Sequence, residues 1–265
     1  MSRWLSKFFK PACELLITSD EIVLTQGGQR IACAVLHSPT PGETVQTCLV
    51  RTLKTVLDQA CGVNGRSANV WLSHRLVPHS VVEIDARAMN ASEIAAMLKS
   101  WWEDLLDLPA TTLAVTYQVQ SCGRSIVTSC CDLALMEAIQ STLQLSGWTA
   151  KNIAPHVTKI WNESRQQFHN DDGYLLLLED QVLSIGAQQN GRWIAWTSEV
   201  CDSAEWPELA ERTTRFCRST GLSDAASLPV WVHAPQIMGT PVSAGLKNWS
   251  VIKPSSDSGL HAGSI

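Results

Sequence analysis

Residues 13–37 read CELLITSDEIVLTQGGQRIACAVLH, and residues 173–199 read GYLLLLEDQVLSIGAQQNGRWIAWTSE. Each stretch holds three short apolar runs, separated first by a tight acidic turn and then by a turn that contains glycine. Short apolar runs bounded by turn residues are typical of strands, and two tight turns predict an antiparallel meander. The chain therefore contains the same three-stranded unit twice.

Each predicted meander is followed by a helix and then by an apolar strand. After the first meander, apolar residues recur at helical spacing over residues 43–60, and residues 68–73 form an apolar run. After the second, the corresponding segments are residues 204–219 and 228–233. A helix between the meander and the next apolar strand indicates that this strand joins the meander in parallel. Each sheet is therefore predicted to be mixed and covered by helices.

The order of these elements predicts an α/β fold with two related actin-like, or ribonuclease-H-like, lobes. Between the repeats, residues 77–153 alternate strand, helix, hairpin, helix and strand, which indicates an inserted αββα subdomain. The predicted organisation has four parts: a basic aromatic segment (1–10), a first lobe with the inserted subdomain (11–153), a shortened second lobe (154–253) and a disordered tail (254–265).

The composition excludes several classes of protein. The 265 residues carry a net charge of −5, whereas a surface that binds nucleic acid normally has a basic excess. No apolar run approaches the ~20 residues that span a bilayer, and no secretory leader is recognisable. The nine cysteines form no C-x-x-C pair, so we expect free thiols in a cytosolic protein, without a bound metal.

Several segments resemble a known family. The basic aromatic start (Arg3, Trp4, Lys7, Phe8, Phe9, Lys10) runs directly into the first meander, and LPATTLAVTYQV (108–119) leads into GRSIVTSCCDLALMEAIQSTLQLSGWTAKNIAPHVTKIWN (123–162). Together with the second meander, these segments resemble the actin-like cytoplasmic proteins of bacterial pilus and secretion machines. This group includes the type IV pilus assembly protein PilM, the MSHA biogenesis protein MshI and the cytoplasmic domain of type II secretion protein L.

The resemblance implies a non-enzymatic adaptor at the inner face of the bacterial inner membrane. Such a protein would bind the cytoplasmic tail of an inner-membrane partner and relay contact to an assembly ATPase. PilM itself also resembles a nucleotide binder. The alternative is therefore an actin-like ATP-binding protein or ATPase with an atypical phosphate site.

The residues at the two acidic turns predict a degenerate nucleotide cleft without a cofactor. Actin-like ATPases need glycine at these turns, because backbone N–H groups must approach the phosphates closely. Residues 16–21 and 178–181 contain no glycine, and residues 232–235 lack the Gly-Gly expected beside the adenine. We interpret Asp20, Glu21, Glu179 and Asp180 as solvated hairpin tips; a divalent site formed by both tips is the alternative.

Two tryptophans on a predicted helix (residues 91–106) are candidates for partner binding. Adjacent helical residues point about 100° apart, so one of Trp101 and Trp102 can enter the core while the other faces a groove. We expect that groove near residues 77–84, with Val77 and Val81 as lining residues. The alternative is that both indoles are buried.

At the amino terminus, Trp4, Phe8 and Phe9 stand among three basic residues. This composition predicts weak, reversible contact with an anionic membrane surface, unless the segment packs against the fold.

Cys130 and Cys131 lie where a predicted strand meets a helix, a place that can lower the pKa of a thiol. A nucleophile there would need a base such as His156, His169 or His233. A buried strand end is the alternative interpretation.

Overall fold

A computed structural model describes residues 13–39, 42–60, 62, 66–164, 172–201, 205–222, 228–234 and 249–252. The predictions made for Trp4, Phe8 and Phe9, for His169 and for the tail from residue 254 fall outside these residues. No helix in the described ranges has both the length and the apolar character to cross a membrane. The chain forms two compact units, one from residues of 1–73 and 134–158, the other from residues of 74–133 and 159–253.

The first unit contains a five-stranded mixed sheet. Its meander consists of β1 (Cys13–Ile17), β2 (Glu21–Gln26) and β3 (Gln29–Val35), and the strands β4 (Ser67–Leu72) and β8 (Thr149–Pro155) add in parallel beside β1. The resulting order is β3-β2-β1-β4-β8. Gly27 and Gly28, both with positive φ, make the β2–β3 turn, where glycine adopts the left-handed backbone without steric cost.

Two helices of this unit follow from amphipathic sequences. Helix α1 (Val45–Gln59) begins after Thr44, whose hydroxyl accepts a hydrogen bond from the Thr47 amide and so caps the first turn. Its buried face consists of Cys48, Leu49, Thr52, Leu53, Val56 and Leu57. Helix α3 (Leu133–Leu145) likewise buries residues at helical spacing, among them Ile139 and Leu143, before β8 begins. The buried apolar face of each helix packs against the core and stabilises the helix there.

The second unit repeats the same sheet. Strands β9 (Gly173–Glu179), β10 (Val182–Gln189) and β11 (Arg192–Val200) form its meander, and β12 (Val230–His233) and β13 (Trp249–Val251) add in parallel. The order β11-β10-β9-β12-β13 matches the first sheet strand for strand and in direction. The predicted duplication is therefore confirmed, although the short strand β13 was missed because three residues carry too little pattern.

Helix α4 (His156–Ser164) precedes the second meander in the chain, and helix α5 (Trp206–Ser219) follows it and completes the second repeat. Leu209 of α5 belongs to a buried core that also contains Tyr174, Leu176, Leu178, Leu183 and Ile185 of the strands β9 and β10. Strands β9 and β10 are buried along almost their whole length. Such continuous apolar runs are expected for strands in the middle of a covered sheet.

A smaller antiparallel sheet belongs to the second unit. Its order is β5-β7-β6, formed by β5 (His79–Glu83), β6 (Leu113–Val119) and β7 (Ser125–Asp132), and helix α2 (Ala91–Leu106) packs against it. A capping box between Asn90 and Glu93 starts α2. The strand, the first helix and the hairpin predicted for the inserted αββα subdomain are present here, whereas its second predicted helix is α3, which belongs to the first unit.

This small sheet groups by its packing with residues 159–253, whereas the sequence-based boundaries placed it with the first lobe. Strand β5 packs beside β11, and the Gln120 side chain exchanges two hydrogen bonds with the Trp193 backbone, at 2.7 and 2.8 Å. These contacts join segments far apart in sequence, so the order of elements gave no sign of them. The boundaries drawn from the sequence stay a prediction.

Candidate functional site

In the first acidic turn, two backbone amides are already hydrogen-bonded to a side chain of the turn itself. The Thr18 hydroxyl accepts hydrogen bonds from the amides of Asp20, at 3.2 Å, and Glu21, at 2.9 Å. It also donates to the Glu21 carbonyl at 3.0 Å. A phosphate site requires amide groups that point into open space, as glycine-rich turns allow. Here the Thr18 side chain occupies the position in front of those amides.

The second acidic turn departs from the prediction at Asp180. Asp180 and Gln181 both have φ of 57°, which fits the two-residue hairpin turn with positive φ at both central positions. The Cys201 amide donates to the Gln181 carbonyl at 2.8 Å, so the chain leaving β11 lies against the turn. Asp180 is only 3% exposed. The expectation of a solvated tip is therefore wrong for Asp180, while Asp20 is exposed and Glu179 half-buried.

In the part of the chain that the structure describes, no three His, Cys, Asp or Glu side chains lie close enough together to hold a metal ion.

The two adjacent tryptophans of α2 have different environments. Trp102 is 1% exposed and donates from Nε1 to the Thr128 hydroxyl at 3.1 Å. Trp101 is half-buried and meets Trp102 edge to face, with ring centroids 4.8 Å apart. Of the other predicted partner-binding residues, Val77 is 4% exposed and Val81 half-buried. Because Val77 and Trp102 belong to the core, only Trp101 and Val81 can contact a partner directly.

Beyond Trp101, helix α2 exposes more apolar surface than the sequence suggested. Leu105, one turn after Trp101, is 57% exposed, and Leu108, which follows the left-handed cap at Asp107, is 46% exposed. We call Trp101, Leu105 and Leu108 the α2 surface. The exposed acids Asp104 and Asp107 stand next to it in sequence, whereas Glu103 lies on the opposite side of the helix. The helical spacing of 101 and 105 was visible in the sequence, but spacing alone does not tell a buried stripe from an exposed one.

A row of contacting rings lies in the second unit, with two buried histidines at one end and three half-buried tryptophans beyond them. His74 contacts His79 with centroids 4.8 Å apart, His79 lies 5.9 Å from Trp196, and Trp196 lies 5.3 Å from Trp193. Trp161 extends the row, 4.8 Å from Trp193. These histidines were not among the predicted site residues, because nothing in their local sequence marks them as buried.

Burial decides the charge of the two histidines. Neither ring nitrogen of His74 or His79 has a well-formed hydrogen bond in the structure as described. Burial lowers the pKa of His74 to about 4, and the charge of Glu179 offsets only part of this. Burial, and then repulsion from His74, lowers the pKa of His79 to about 3. Both rings are therefore neutral near pH 7.

Among the cysteines, Cys130 and Cys131 are buried, and burial raises the pKa of their thiols to about 11 and about 12. Protonated, enclosed thiols are the opposite of what nucleophilic catalysis needs. The more acidic thiol is Cys122, in the β6–β7 hairpin. Its pKa is lowered to about 7, first by the Arg124 amide and then by the Ser125 hydroxyl.

Comparisons with known proteins identify the fold. No family model matches the chain, and no curated protein sequence matches it. Among solved structures, the cytoplasmic domain of EpsL, an inner membrane component of the type II secretion system of Vibrio cholerae, is 13% identical, with a TM-score of 0.54 over 90% of this chain and 88% of that one. The PilM-PilN type IV pilus biogenesis complex is also 13% identical, with a TM-score of 0.58 over 83% and 80%.

A third structure is a protein of unknown function with an actin-like ATPase fold from Bacteroides thetaiotaomicron. It is 10% identical, with a TM-score of 0.57 over 95% of this chain and 93% of that one. The chain therefore has the actin-like fold that the sequence predicted, and its fold is similar to those of the pilus and secretion proteins that the sequence resembled.

Proposed function

We propose that this protein is a non-enzymatic cytoplasmic scaffold of a bacterial type IV pilus-like or type II secretion assembly. In this proposal it binds the cytoplasmic tail of an inner-membrane partner; support comes from its fold relative PilM-PilN, which is a complex of type IV pilus biogenesis. The observation that carries the proposal is the α2 surface, where a half-buried indole and two exposed leucines lie next to the acids Asp104 and Asp107. The same proposal includes two further contacts. The protein touches an assembly ATPase, and its residues Trp4, Phe8 and Phe9 touch lipid.

The charge around the α2 surface favours a basic tail. Cytoplasmic segments next to membrane spans carry an excess of Lys and Arg, whereas the exposed acids Asp104 and Asp107 give this surface a negative rim. Opposite charges at a rim guide encounter, and desolvated aromatic and aliphatic groups at the centre supply most of the affinity. A short tail with basic and apolar residues therefore has the chemistry that this surface would recognise.

Tail binding can be tested with labelled peptides that correspond to the cytoplasmic tails of single-span inner-membrane proteins from the host's pilus and secretion loci. Replacing Trp101 with Ala and Leu105 with Asp should weaken binding of the cognate tail at least about tenfold, since a central anchor contributes about 2 kcal/mol or more. Leu145→Asp is the matched control, because Leu145 is 89% exposed on α3 and should not affect binding. The proposal is contradicted if the parent binds no tail, or if the variant with Trp101→Ala and Leu105→Asp binds the tail as tightly as the Leu145→Asp control.

The alternative function, ATP binding, has a separate test. We expect the melting temperature to stay unchanged with saturating Mg-ATP, because Thr18 accepts the hydrogen bonds of the first turn's amides. A nucleotide present at 100 times its dissociation constant would instead stabilise the fold by about 2.7 kcal/mol. A clear stabilisation that disappears in Asp20→Ala or Asp180→Asn would favour an actin-like ATP binder with an atypical phosphate site.

A further inference from the structure

Most edge strands in the described sheets carry features that discourage pairing with another chain. Strand β3 has an irregular register opposite Leu24 and Thr25, and it carries Arg30. Strand β8 has a register shift that leaves Lys151 outside the ladder, and β11 has one opposite Ala187 and Gln188. Bulges and charges of this kind are the usual means by which proteins protect a sheet edge. The remaining edges, β5 and β13, are short, with five and three residues.

Strand β6 has none of these protective features. All seven residues, Leu113–Val119, pair with β7 in an unbroken register, so the strand is regular along its length. Its sequence, LAVTYQV, contains no charged residue and no proline, and it is rich in β-branched and aromatic residues. Its other edge pairs with no described strand. A long, regular, uncharged edge is rare unless it has a partner.

The two faces of β6 differ in polarity. Val115 and Tyr117 lie on the face that packs against α2, and Leu113 is buried beside Trp102. Val119 has the same parity and is 37% exposed. The alternate positions, Ala114, Thr116 and Gln118, form the other face, where Thr116 and Gln118 are exposed. Any strand that pairs with β6 must therefore place apolar residues on the α2 side and polar residues on the other.

We propose that β6 pairs antiparallel with β6 of a second copy of this chain, about a two-fold axis at Thr116. In this register Leu113 faces Val119 of the other copy and Val115 faces Tyr117, all on the α2 side. Ala114 faces Gln118 on the polar side, and the two Thr116 residues face each other. The proposal does not rest on the function proposed above.

The strand is complementary to itself in this arrangement. Pairs of aromatic and β-branched residues across strands, such as Val115 with Tyr117, are among the favourable ones. No like charges meet, although each chain carries a net charge of −5, because β6 has no charged side chain. The result is one six-stranded sheet in the order β5-β7-β6-β6-β7-β5, in which both free β6 edges are satisfied. A symmetric interface of this kind closes after two copies.

Sedimentation velocity of the full chain over a range of concentrations tests the proposal. The parent should shift from monomer to dimer as its concentration rises. Thr116→Lys places two like charges directly opposite on the axis, and should weaken the dimer at least about tenfold. Gln29→Lys adds the same charge at an exposed position of the protected edge strand β3, and should leave the dimer unchanged.

Two variants of opposite charge at Thr116 distinguish a disrupted interface from a misfolded chain. Thr116→Lys and Thr116→Glu should each sediment as a monomer, and an equal mixture should form the heterodimer, which requires both chains to be folded. A parent that stays monomeric at every concentration overturns the proposal, as does a dimer that Thr116→Lys leaves intact. If the mixture stays monomeric, Thr116 does not face Thr116 of the second copy, and the proposed register is wrong.

Discussion

Replacing His74 with Leu and His79 with Phe should flatten the loss of stability that the parent protein shows on acidification from neutral pH to about pH 4. The two rings are 6% and 8% exposed, contact each other, and have no well-formed hydrogen bonds to described residues. In the native state they resist protonation, because a charged ring would lose its hydration without gaining a partner. In the unfolded chain both rings meet water and protonate freely.

The sign of the effect follows from the lowered pKa values. Below the ordinary histidine pKa of 6.5, the unfolded chain binds protons that the native state does not, so stability falls as pH falls. The loss continues until the native rings also protonate, near pH 4 for His74 and near pH 3 for His79. Each histidine contributes up to about 1.4 kcal/mol per pH unit within this window. The pair therefore contributes up to about twice that slope.

Denaturant unfolding at several pH values, followed by tryptophan fluorescence, measures this slope. The double variant should match or exceed the parent at neutral pH, since it removes buried polar atoms that lack good partners. It should then lose less stability on acidification. His37→Leu, at an exposed position, is the matched control and should keep the slope of the parent. Equal slopes for the parent and the double variant would contradict the assignment.

The repeated fold could be predicted because its signals are local. Turn residues divide each meander into short strands, and the apolar spacing of residues 43–60 and 204–219 marks the helices between them. Both five-stranded sheets follow that order. The grouping of β5, β6 and β7 with the second unit depends on side-chain contacts such as Gln120 with Trp193, which no local pattern reveals.

The candidate sites were less predictable, because burial is a tertiary property. The sequence could place Trp101 and Trp102 on different sides of a helix, but not assign which indole is the buried one. Asp180 stands in a sequence typical of a solvated turn, yet the chain leaving β11 lies against that turn and it is buried. His74 and His79 have no distinguishing neighbours in sequence; their contact with each other and with Trp196 exists only in the fold.

A larger residue at Gly186 on β10 should destabilise the fold, because the indoles of Trp193 and Trp196 pack directly on the Gly186 backbone. A Cβ atom there would lie 2.4 Å from Cζ3 of Trp196 and 2.6 Å from Cζ3 of Trp193. Real Cβ contacts are essentially never so short, so the rigid indoles would have to move. Overpacking of this kind costs about 1–3 kcal/mol, and Gly186→Ala should lower the free energy of unfolding by that amount.

Chemical denaturation of Gly186→Ala measures the cost, and Gly62→Ala is the matched control. Gly62 has open space around its Cα and should accept the methyl group with little change in stability. Combining Gly186→Ala with Trp196→Leu should cost less than the two single changes added together, because a smaller side chain makes room for the new methyl group. Since Trp196 also contacts His79, displaced indoles would change the fluorescence of the native state as well. Two outcomes would contradict this packing: a Gly186→Ala protein as stable as its parent, or a double variant whose loss of stability equals the sum of the two single losses. Either would show that the Trp193 and Trp196 indoles do not need the space that a side chain at residue 186 would fill.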